Sequence, residues 1–391
     1  LADLSESIHF LTQIGPTARL YGSWMRKLRV GIIDFITKSP NHSIWARVMH
    51  ANFMGIMPQV IAKWSEDAGH EVQYFIFTGL EDLAEDAPKD VDMVFISAFT
   101  QSAIQAYALS GKYRSEGVVT VLGGPHARCY PEDAVKYFDY VLGITDEELC
   151  RSVLKDCKHY RPVGVHLSAK SSPKHLPGVR ERWKFISKAL EKTTRLFKVV
   201  PMIGSLGCPY TCSFCIDANE PYQPLDFDAL KDDLRFVLTK IKRPLVSWYD
   251  PNFGVRFDDY MNAIEEAVPR NSIDFIAESS LSLLSEPHLK RLRDNGFQAL
   301  LPGIESWFDM GNKSKTGAKQ GIDKVNAVSE HINLILSYIP YVQTNFVVGL
   351  DSDKGPESFE LTKKFVDKAP AAFPAYPLIT AFGRAAPLNL E

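Results

Sequence analysis

Twice along this chain short apolar runs alternate with amphipathic stretches of helical period. That alternation restricts the fold more than any other feature. In the first half the runs at 29–34, 71–77, 92–98, 118–122 and 139–142 read as strands. Helical stretches lie near 50–68, 102–110 and 132–138, and another follows at 146–155. In the second half strands are expected at 199–204, 245–249, 274–277, 299–303, 342–348 and 376–382, with helices at 226–239, 258–268, 286–294, 322–335 and 356–368. Strict strand–helix alternation demands parallel strands joined by right-handed crossovers, so each half predicts its own parallel sheet. Between the halves, 158–197 carries Pro162, Pro173, Pro177 and many basic residues, and reads as a connector with a helix at 181–192. The 391 residues leave room for two cores. The expected organisation is an amino-terminal arm (1–28), a doubly wound flavodoxin/Rossmann-like α/β domain (29–157), the connector (158–197) and a second α/β domain (198–391).

In such sheets ligands bind beyond the carboxyl ends of the strands. In the first half those ends hold Ser97, Thr100 and Gln101, then Gly123-Gly124-Pro125-His126, then Gly143-Ile144-Thr145. Glycine pairs let backbone approach a bulky ligand closely, although a tight strand–helix turn also wants them. In the second half the ends carry Asp250 and Asn252, then Glu278 and Ser280, then Gly303-Ile304-Glu305-Ser306, then Gly349. Strand-end carboxylates also cap helices or pair with lysines, here Lys313 or Lys315. The loop after the first strand of this half holds Cys208, Cys212 and Cys215, a C-x3-C-x2-C spacing with Phe214 before the last cysteine. Three local thiolates suit an iron–sulfur cubane and leave one iron without a protein ligand. A structural zinc site wants four ligands in paired spacing, and the flanking histidines, His175 and His288, are distant in sequence. A disulfide would strand one cysteine of the triplet.

The run Gly207-Cys208-Pro209-Tyr210-Thr211-Cys212-Ser213-Phe214-Cys215 resembles the signature of the radical S-adenosylmethionine (SAM) superfamily. The resemblance implies a [4Fe-4S] cluster on the three cysteines, SAM bound to the open iron, and reductive release of a 5′-deoxyadenosyl radical. It implies a partial (β/α)6 barrel for the second domain, with Tyr210, Phe214, Glu278, Ser280, Glu305 and Gly349 near SAM. Asp250 and Asn252 resemble a D-x-N-F element of the cobalamin-dependent branch. The first half resembles the cobalamin-binding domain that precedes the barrel in B12-dependent members. The matching pieces are Ala68-Gly69-His70-Glu71-Val72, Val121-Leu122-Gly123-Gly124-Pro125-His126-Ala127 and Phe138-Asp139-Tyr140-Val141-Leu142-Gly143. That resemblance implies cobalamin contacts from Ser97, Thr100, Gln101, Gly123, Gly124, His126 and Gly143. One departure stands out. Domains that bind cobalt through histidine carry D-x-H-x-x-G after the first strand, whereas Asp34 is followed here by Ile36 and Ser39. A histidine-ligated cobalt is therefore not expected by that motif, and His126 and His50 read more simply as surface or capped residues.

Together these resemblances imply a cobalamin-dependent radical SAM enzyme, foremost a methyltransferase at an unactivated carbon. The alternatives are non-methyl chemistry such as oxidative cyclisation or rearrangement, and a methylthiotransferase-like enzyme with a second cluster on Cys129, Cys150 and Cys157, for which a structural role is the simpler reading. The substrate is expected to be a small molecule or peptide, and the electron donor a flavodoxin or ferredoxin. A net charge of −3 counts against a nucleic-acid substrate. No apolar run approaches the ~18–20 residues of a membrane span. Asp3 and Glu6 leave the first residues without a signal-peptide core, so the expected setting is cytoplasmic, reducing and anaerobic. The chain starts at Leu1 and ends at Glu391 soon after the sixth strand of its second half, leaving room for a native leader and for a carboxyl-terminal substrate module.

Overall fold

The structure is a computed structural model and describes residues 27–36, 54–157, 163–192, 198–218, 220–380 and 382–386. His50, Ser39 and the start of the helix expected at 50–68 lie outside those residues.

The first sheet is built from β1 (Arg29–Phe35), β2 (Glu71–Phe77), β3 (Met93–Ser97), β4 (Val119–Gly123), β5 (Tyr140–Leu142) and β6 (Val165–Leu167). All neighbours run parallel, in the order β2-β1-β3-β4-β5-β6. The order reverses direction between β1 and β3, which opens a crevice at their carboxyl ends. Buried on both faces, β1 reads as an almost unbroken apolar run, as parallel strands do. Helices α1 (Ile56–Asp67), α2 (Ala103–Ser115), α3 (Pro125–Cys129) and α4 (Glu147–Asp156) join them. Asp146 starts α4 by accepting the Leu149 amide at 2.8 Å. Strand β6 falls in the stretch read as a connector, so that stretch also contributes to the first sheet.

Helix α5 (Val179–Lys192) follows and buries Val179, Phe185, Ile186, Ala189 and Leu190 along one stripe. It packs on α1 of the first half and on the second half's β7 (Val199–Met202) and α6 (Phe227–Lys240). Its first turn is capped from α6: Asp233 accepts the Val179 and Arg180 amides at 2.6 and 2.9 Å. The buried Arg182 guanidinium donates to Gln59 of α1 at 2.6 Å and to the Pro177 carbonyl at 2.8 Å. One apolar core therefore runs continuously from the first sheet through α5 into the second.

The second sheet comprises β7, β8 (Leu245–Trp248), β9 (Asp274–Ser280), β10 (Phe297–Glu305), β11 (Tyr341–Phe346) and β12 (Phe373–Ala375), parallel and in sequential order. Helices α7 (Phe257–Ala267), α8 (Glu286–Asp294), α9 (Gly321–Leu336) and α10 (Glu357–Lys368) complete the crossovers. The sixth strand differs from expectation. It pairs Phe373–Ala375 with Gln343–Asn345, and beyond it only the single bridge Val348–Leu378 forms. The apolar run at 376–382 signals a strand by composition, yet Tyr376 and Leu378 are exposed, and Pro377 withholds a ladder donor. Among the described residues no helix is long and apolar enough to cross a membrane.

Candidate functional site

Directly after β7 a small antiparallel ribbon, Ser205–Leu206 against Gln223–Pro224, pinches off the cysteine loop. Gly207 opens it with φ +66°, where a Cβ would lie 2.3 Å from the Pro221 carbonyl oxygen, so only glycine fits. The Cys208 amide donates to the Glu220 carbonyl at 3.1 Å, and the Cys215 amide to the Cys212 carbonyl at 2.9 Å. The Asp217 amide donates to Cys215 Sγ at 3.4 Å. All three cysteines are free thiols, Cys212 buried and the others half-buried. Burial pushes all three thiols up, Cys215 to about 11, so they hold their protons until a metal displaces them. Among the described residues no three His, Cys, Asp or Glu side chains converge on a single ion. Three cysteines on one short loop, with a backbone N–H reaching one sulfur, fit the thiolate donors that a multi-iron cluster takes.

Around the loop stand the strand-end polar groups. Tyr210 and Ser282 hydroxyls lie 2.6 Å apart, and Ser282 lies 3.0 Å from the Ser280 hydroxyl at the end of β9. Glu305 ends β10 at a register shift, buried and at φ +65°, a conformation that costs a non-glycine residue energy and recurs at functional sites. It accepts an ion-paired hydrogen bond from Lys313, the lysine pairing anticipated from sequence. Burial would lower the Lys313 ammonium, but Glu305 and the cysteine sulfurs outweigh that and hold it up. Glu278 reaches solvent, yet the surrounding protein pushes its carboxyl above the ordinary range, against the pull of Lys313 and with Glu305 adding. Asp250 faces inward instead. It accepts from Ser205 Oγ at 2.6 Å, the Gly204 amide at 3.1 Å and the Tyr260 hydroxyl, which braces the segment leading into the cysteine loop. Asn252 accepts the Ser280 amide at 2.9 Å. Phe214 is half-buried on the loop, and Gly349 is exposed in a left-handed turn where a Cβ would lie 2.9 Å from Ile379.

A cavity of about 290 Å³ lies between the halves. One wall is the switch point of the first sheet: Ile32 and Ile33, Phe95 to Ser97, Gly123, Gly124, and Leu142 to Thr145. The other wall is Ile203, Leu206, Gly207, Asp217, Glu220, Tyr249 and Pro251, the near edge of the cysteine loop and of β8. A Cβ added to Gly123 would meet nothing within 4 Å, so backbone is the surface offered there. Gly124 (φ +87°) instead closes tightly on Ala98 and Ser97. An apolar, glycine-walled crevice at a switch point suits a broad, flat ligand held by backbone.

Of the first-half residues expected at a ligand, Ser97, Gly123, Gly124 and Gly143 line this cavity, and Thr100, Gln101 and His126 do not. Gln101 is exposed. His126 is buried with Nε2 2.8 Å from the Tyr107 hydroxyl and Nδ1 3.3 Å from Thr100 Oγ1, so both ring nitrogens are engaged away from the cavity. Asp34, the aspartate of the incomplete histidine motif, is buried and accepts the Tyr74 hydroxyl at 2.8 Å and the Gly55 amide at 3.1 Å. It serves the start of α1 rather than an imidazole. Cys129 is buried on α3, Cys150 is buried on α4, and Cys157 caps α4 in a left-handed turn, so these three do not form a second ligand set. Sequence reasoning missed Arg128, which crosses from α3 to the cysteine loop, because nothing local distinguishes it from a surface charge.

No protein-family model matches the chain. Among curated proteins it is similar to two from Chlorobaculum tepidum. It is 25% identical over 313 residues to bacteriochlorophyllide d C-8(2)-methyltransferase, covering 75% of this chain and 66% of that protein. It is 22% identical over 322 residues to bacteriochlorophyllide d C-12(1)-methyltransferase, covering 79% and 69%. The chain thus spans about two thirds of the length of these relatives. Among solved structures it superposes on the radical SAM methyltransferase TsrM from Kitasatospora setae, with cobalamin and a [4Fe-4S] cluster bound, with TM-score 0.62 and 15% identity over 93% of this chain and 74% of that one. It also superposes on the cobalamin-dependent SAM radical enzyme OxsB, with aqua-cobalamin and SAM bound, with TM-score 0.60 and 13% identity over 92% and 54%. The chain has the fold of the cobalamin-dependent radical SAM enzymes. The resemblance to the cobalamin-dependent radical SAM family, carried by the cysteine motif and the glycine loops, is thereby borne out at the level of the fold.

Proposed function

We propose that the chain is a cobalamin-dependent radical SAM methyltransferase acting on an unactivated carbon of a small molecule. The observation that carries this is a single cavity walled on one side by the glycine-rich switch point and on the other by the cysteine loop. In this reading the first half is the cobalamin-binding domain and the second a partial (β/α)6 barrel. Cys208, Cys212 and Cys215 hold the [4Fe-4S] cluster. Glu305 and Lys313 offer opposite charges beside it, suited to the ammonium and carboxylate of SAM, with Tyr210, Phe214, Glu278 and Ser280 around them. Ser97, Gly123, Gly124 and Gly143 face the corrin. When bound, the cluster supplies the electron that cleaves SAM and the corrin supplies a transferable methyl group. The protein's own contribution is placement: Asp250 and Asn252 brace the strand ends, and the apolar cavity wall keeps water from the reacting carbon. The relatives named above act on bacteriochlorophyllide, and TsrM was solved with tryptophan as substrate and a SAM analogue bound. Aromatic small molecules are therefore the first substrates to offer. A flavodoxin or ferredoxin in the cytoplasm is the donor class this chemistry calls for.

The test is anaerobic reconstitution with iron, sulfide and hydroxocobalamin, followed by iron content, corrin absorbance and SAM cleavage on one sample. About four irons per chain, a bound corrin and deoxyadenosine formation are expected, with Cys212→Ala losing iron and cleavage but keeping the corrin. Wild-type protein that takes up corrin but never cleaves SAM would overturn the radical reading. The similarity to the cobalamin-dependent SAM radical enzyme OxsB favours one alternative, non-methyl radical chemistry. A product heavier by one methylene unit selects methylation over it.

A further inference from the structure

Arg128 is the side chain that ties the two halves of the cavity together. It leaves α3, directly after Gly123 and Gly124, and donates from Nη2 to the Ile216 carbonyl at 2.9 Å and to Glu220 Oε1 at 3.3 Å. From Nη1 it donates to Asp217 Oδ1 at 3.2 Å. Both acidic partners hold the cysteine loop through their own main chain: the Asp217 amide reaches Cys215 Sγ, and the Glu220 carbonyl receives the Cys208 amide. Arg128, Asp217, Glu220 and Gly124 all line the cavity. Helix α3 does not depend on this bridge for its own position. His126, Ala127 and Cys129 are buried, and Gly383 (φ +52°) from the far end of the chain packs so closely that a Cβ there would lie 1.9 Å from the Cys129 carbonyl oxygen.

We propose that Arg128 is a positioning residue that locks the cysteine loop to the glycine loop, fixing the cluster's place relative to the corrin and tuning its potential. The planar guanidinium reaches three acceptors at once, which a lysine ammonium on a single stem does not reproduce. Removing it acts on the cluster in one direction. It withdraws a cation, leaves Asp217 and Glu220 uncompensated, and loosens the N–H···S bond to Cys215. Each of these disfavours the more negative, reduced cluster, so the potential falls. The inference rests on the proposed two-cofactor reading, and its first readout needs neither cofactor.

Hydrogen–deuterium exchange on cofactor-free wild type, Arg128→Met and Arg128→Lys reports the lock directly. Exchange across 207–220 is expected to rise at least about tenfold in both variants, with α3 unchanged. In reconstituted protein, Arg128→Met is expected to keep its iron and to bind hydroxocobalamin within about threefold of wild type, while its midpoint in an EPR-monitored redox titration moves to more negative values. Arg128→Lys, which restores the cation but not the three-acceptor lock, is expected to recover part of the midpoint shift and none of the exchange protection. Unchanged exchange in Arg128→Met overturns the lock even where wild type takes up both cofactors; wild type that takes up neither sinks the functional reading while exchange still decides the lock. If Arg128→Met loses its fold, Glu220→Gln takes its place: a smaller rise in exchange across 207–220 is expected, with the midpoint moving to more positive values because an anion rather than a cation is withdrawn, and wild-type exchange in Glu220→Gln would refute the proposal.

Discussion

Asp34→Asn should make the protein more stable at neutral pH, and by an amount that grows with pH. Asp34 is completely buried at the carboxyl end of β1, and burial pushes its carboxyl up from 3.8 to about 7 despite the Tyr74 and Gly55 hydrogen bonds. Below pH 3.8 both folded and unfolded chains carry the proton, and the group costs nothing. Above it the unfolded chain releases its proton while the folded chain keeps it until about pH 7, so stability falls across that window and then levels off. The gap between 3.8 and about 7, at about 1.4 kcal/mol per pH unit, amounts to roughly 4 kcal/mol. Asparagine is nearly isosteric, and both donors point at Oδ2, where an amide oxygen can stand. The neighbouring Arg182, pulled down by burial to about 10, stays charged throughout the window and supplies no competing titration. Urea unfolding followed by tryptophan fluorescence at several values between pH 4 and pH 8 gives the variant-minus-wild-type difference. A difference near zero at pH 4 that climbs by a few kcal/mol is expected. A difference that is constant, or that shrinks as pH rises, would refute the reasoning.

Further outcomes follow from the cysteine loop and its braces. Gly207→Ala places a Cβ 2.3 Å from a backbone carbonyl, so reconstituted iron per chain should fall by more than half while corrin binding persists, read by iron assay and absorbance. Lys313→Met leaves Glu305 buried without its cation; SAM cleavage should drop about ten- to a hundredfold at unchanged iron content, consistent with losing ~1.5–3 kcal/mol of charged hydrogen bonding. Asp250→Ala strands the Ser205 and Tyr260 hydroxyls and should cost ~2–4 kcal/mol in thermal or urea unfolding, with iron retention falling alongside. Asp233→Ala removes a cap shared between α5 and α6 and should cost ~1–2 kcal/mol in the same assay without touching the cluster.

The fold was legible wherever burial repeats along the strand. Strands β1, β3 and β4 fall within one residue at each end of the runs read from sequence, because buried parallel strands advertise themselves as apolar runs bounded by turns, and the edge strand β2 falls at the residues read, its last four buried. The sixth strand of the second sheet was misplaced because it lies at an edge, where pairing rather than burial decides. The residues with the stronger apolar signal, Tyr376 and Leu378, stay exposed, while Phe373–Ala375 finds a partner in β11. Strand β6 escaped notice for the same reason: three residues at an edge, none buried, inside a proline-rich stretch.

The site divides along the same physical line. The three cysteines were visible because they share one short loop, so their pattern is written in local spacing. Of the cavity-facing glycines, Gly124 and Gly143 were visible because close neighbours forbid a side chain, whereas at Gly123 a Cβ would meet only open space. His126 misled because a histidine after a glycine pair carries the same letter whether it faces a ligand or, as here, Tyr107 and Thr100. Arg128 lay beyond reach in a stronger sense. Its role depends on partners 88 to 92 residues away, which leave no signature in sequence. Lys313 was anticipated as one of two lysines for a strand-end carboxylate, and the fold brings it to Glu305 at the left-handed kink. The residues proposed to bind a cofactor can therefore be read from the chain, whereas the one proposed to hold the two halves of the cavity in register is visible in the folded state alone. If that division holds, substitutions at Arg128 should leave each cofactor's binding intact while changing how the two halves work together.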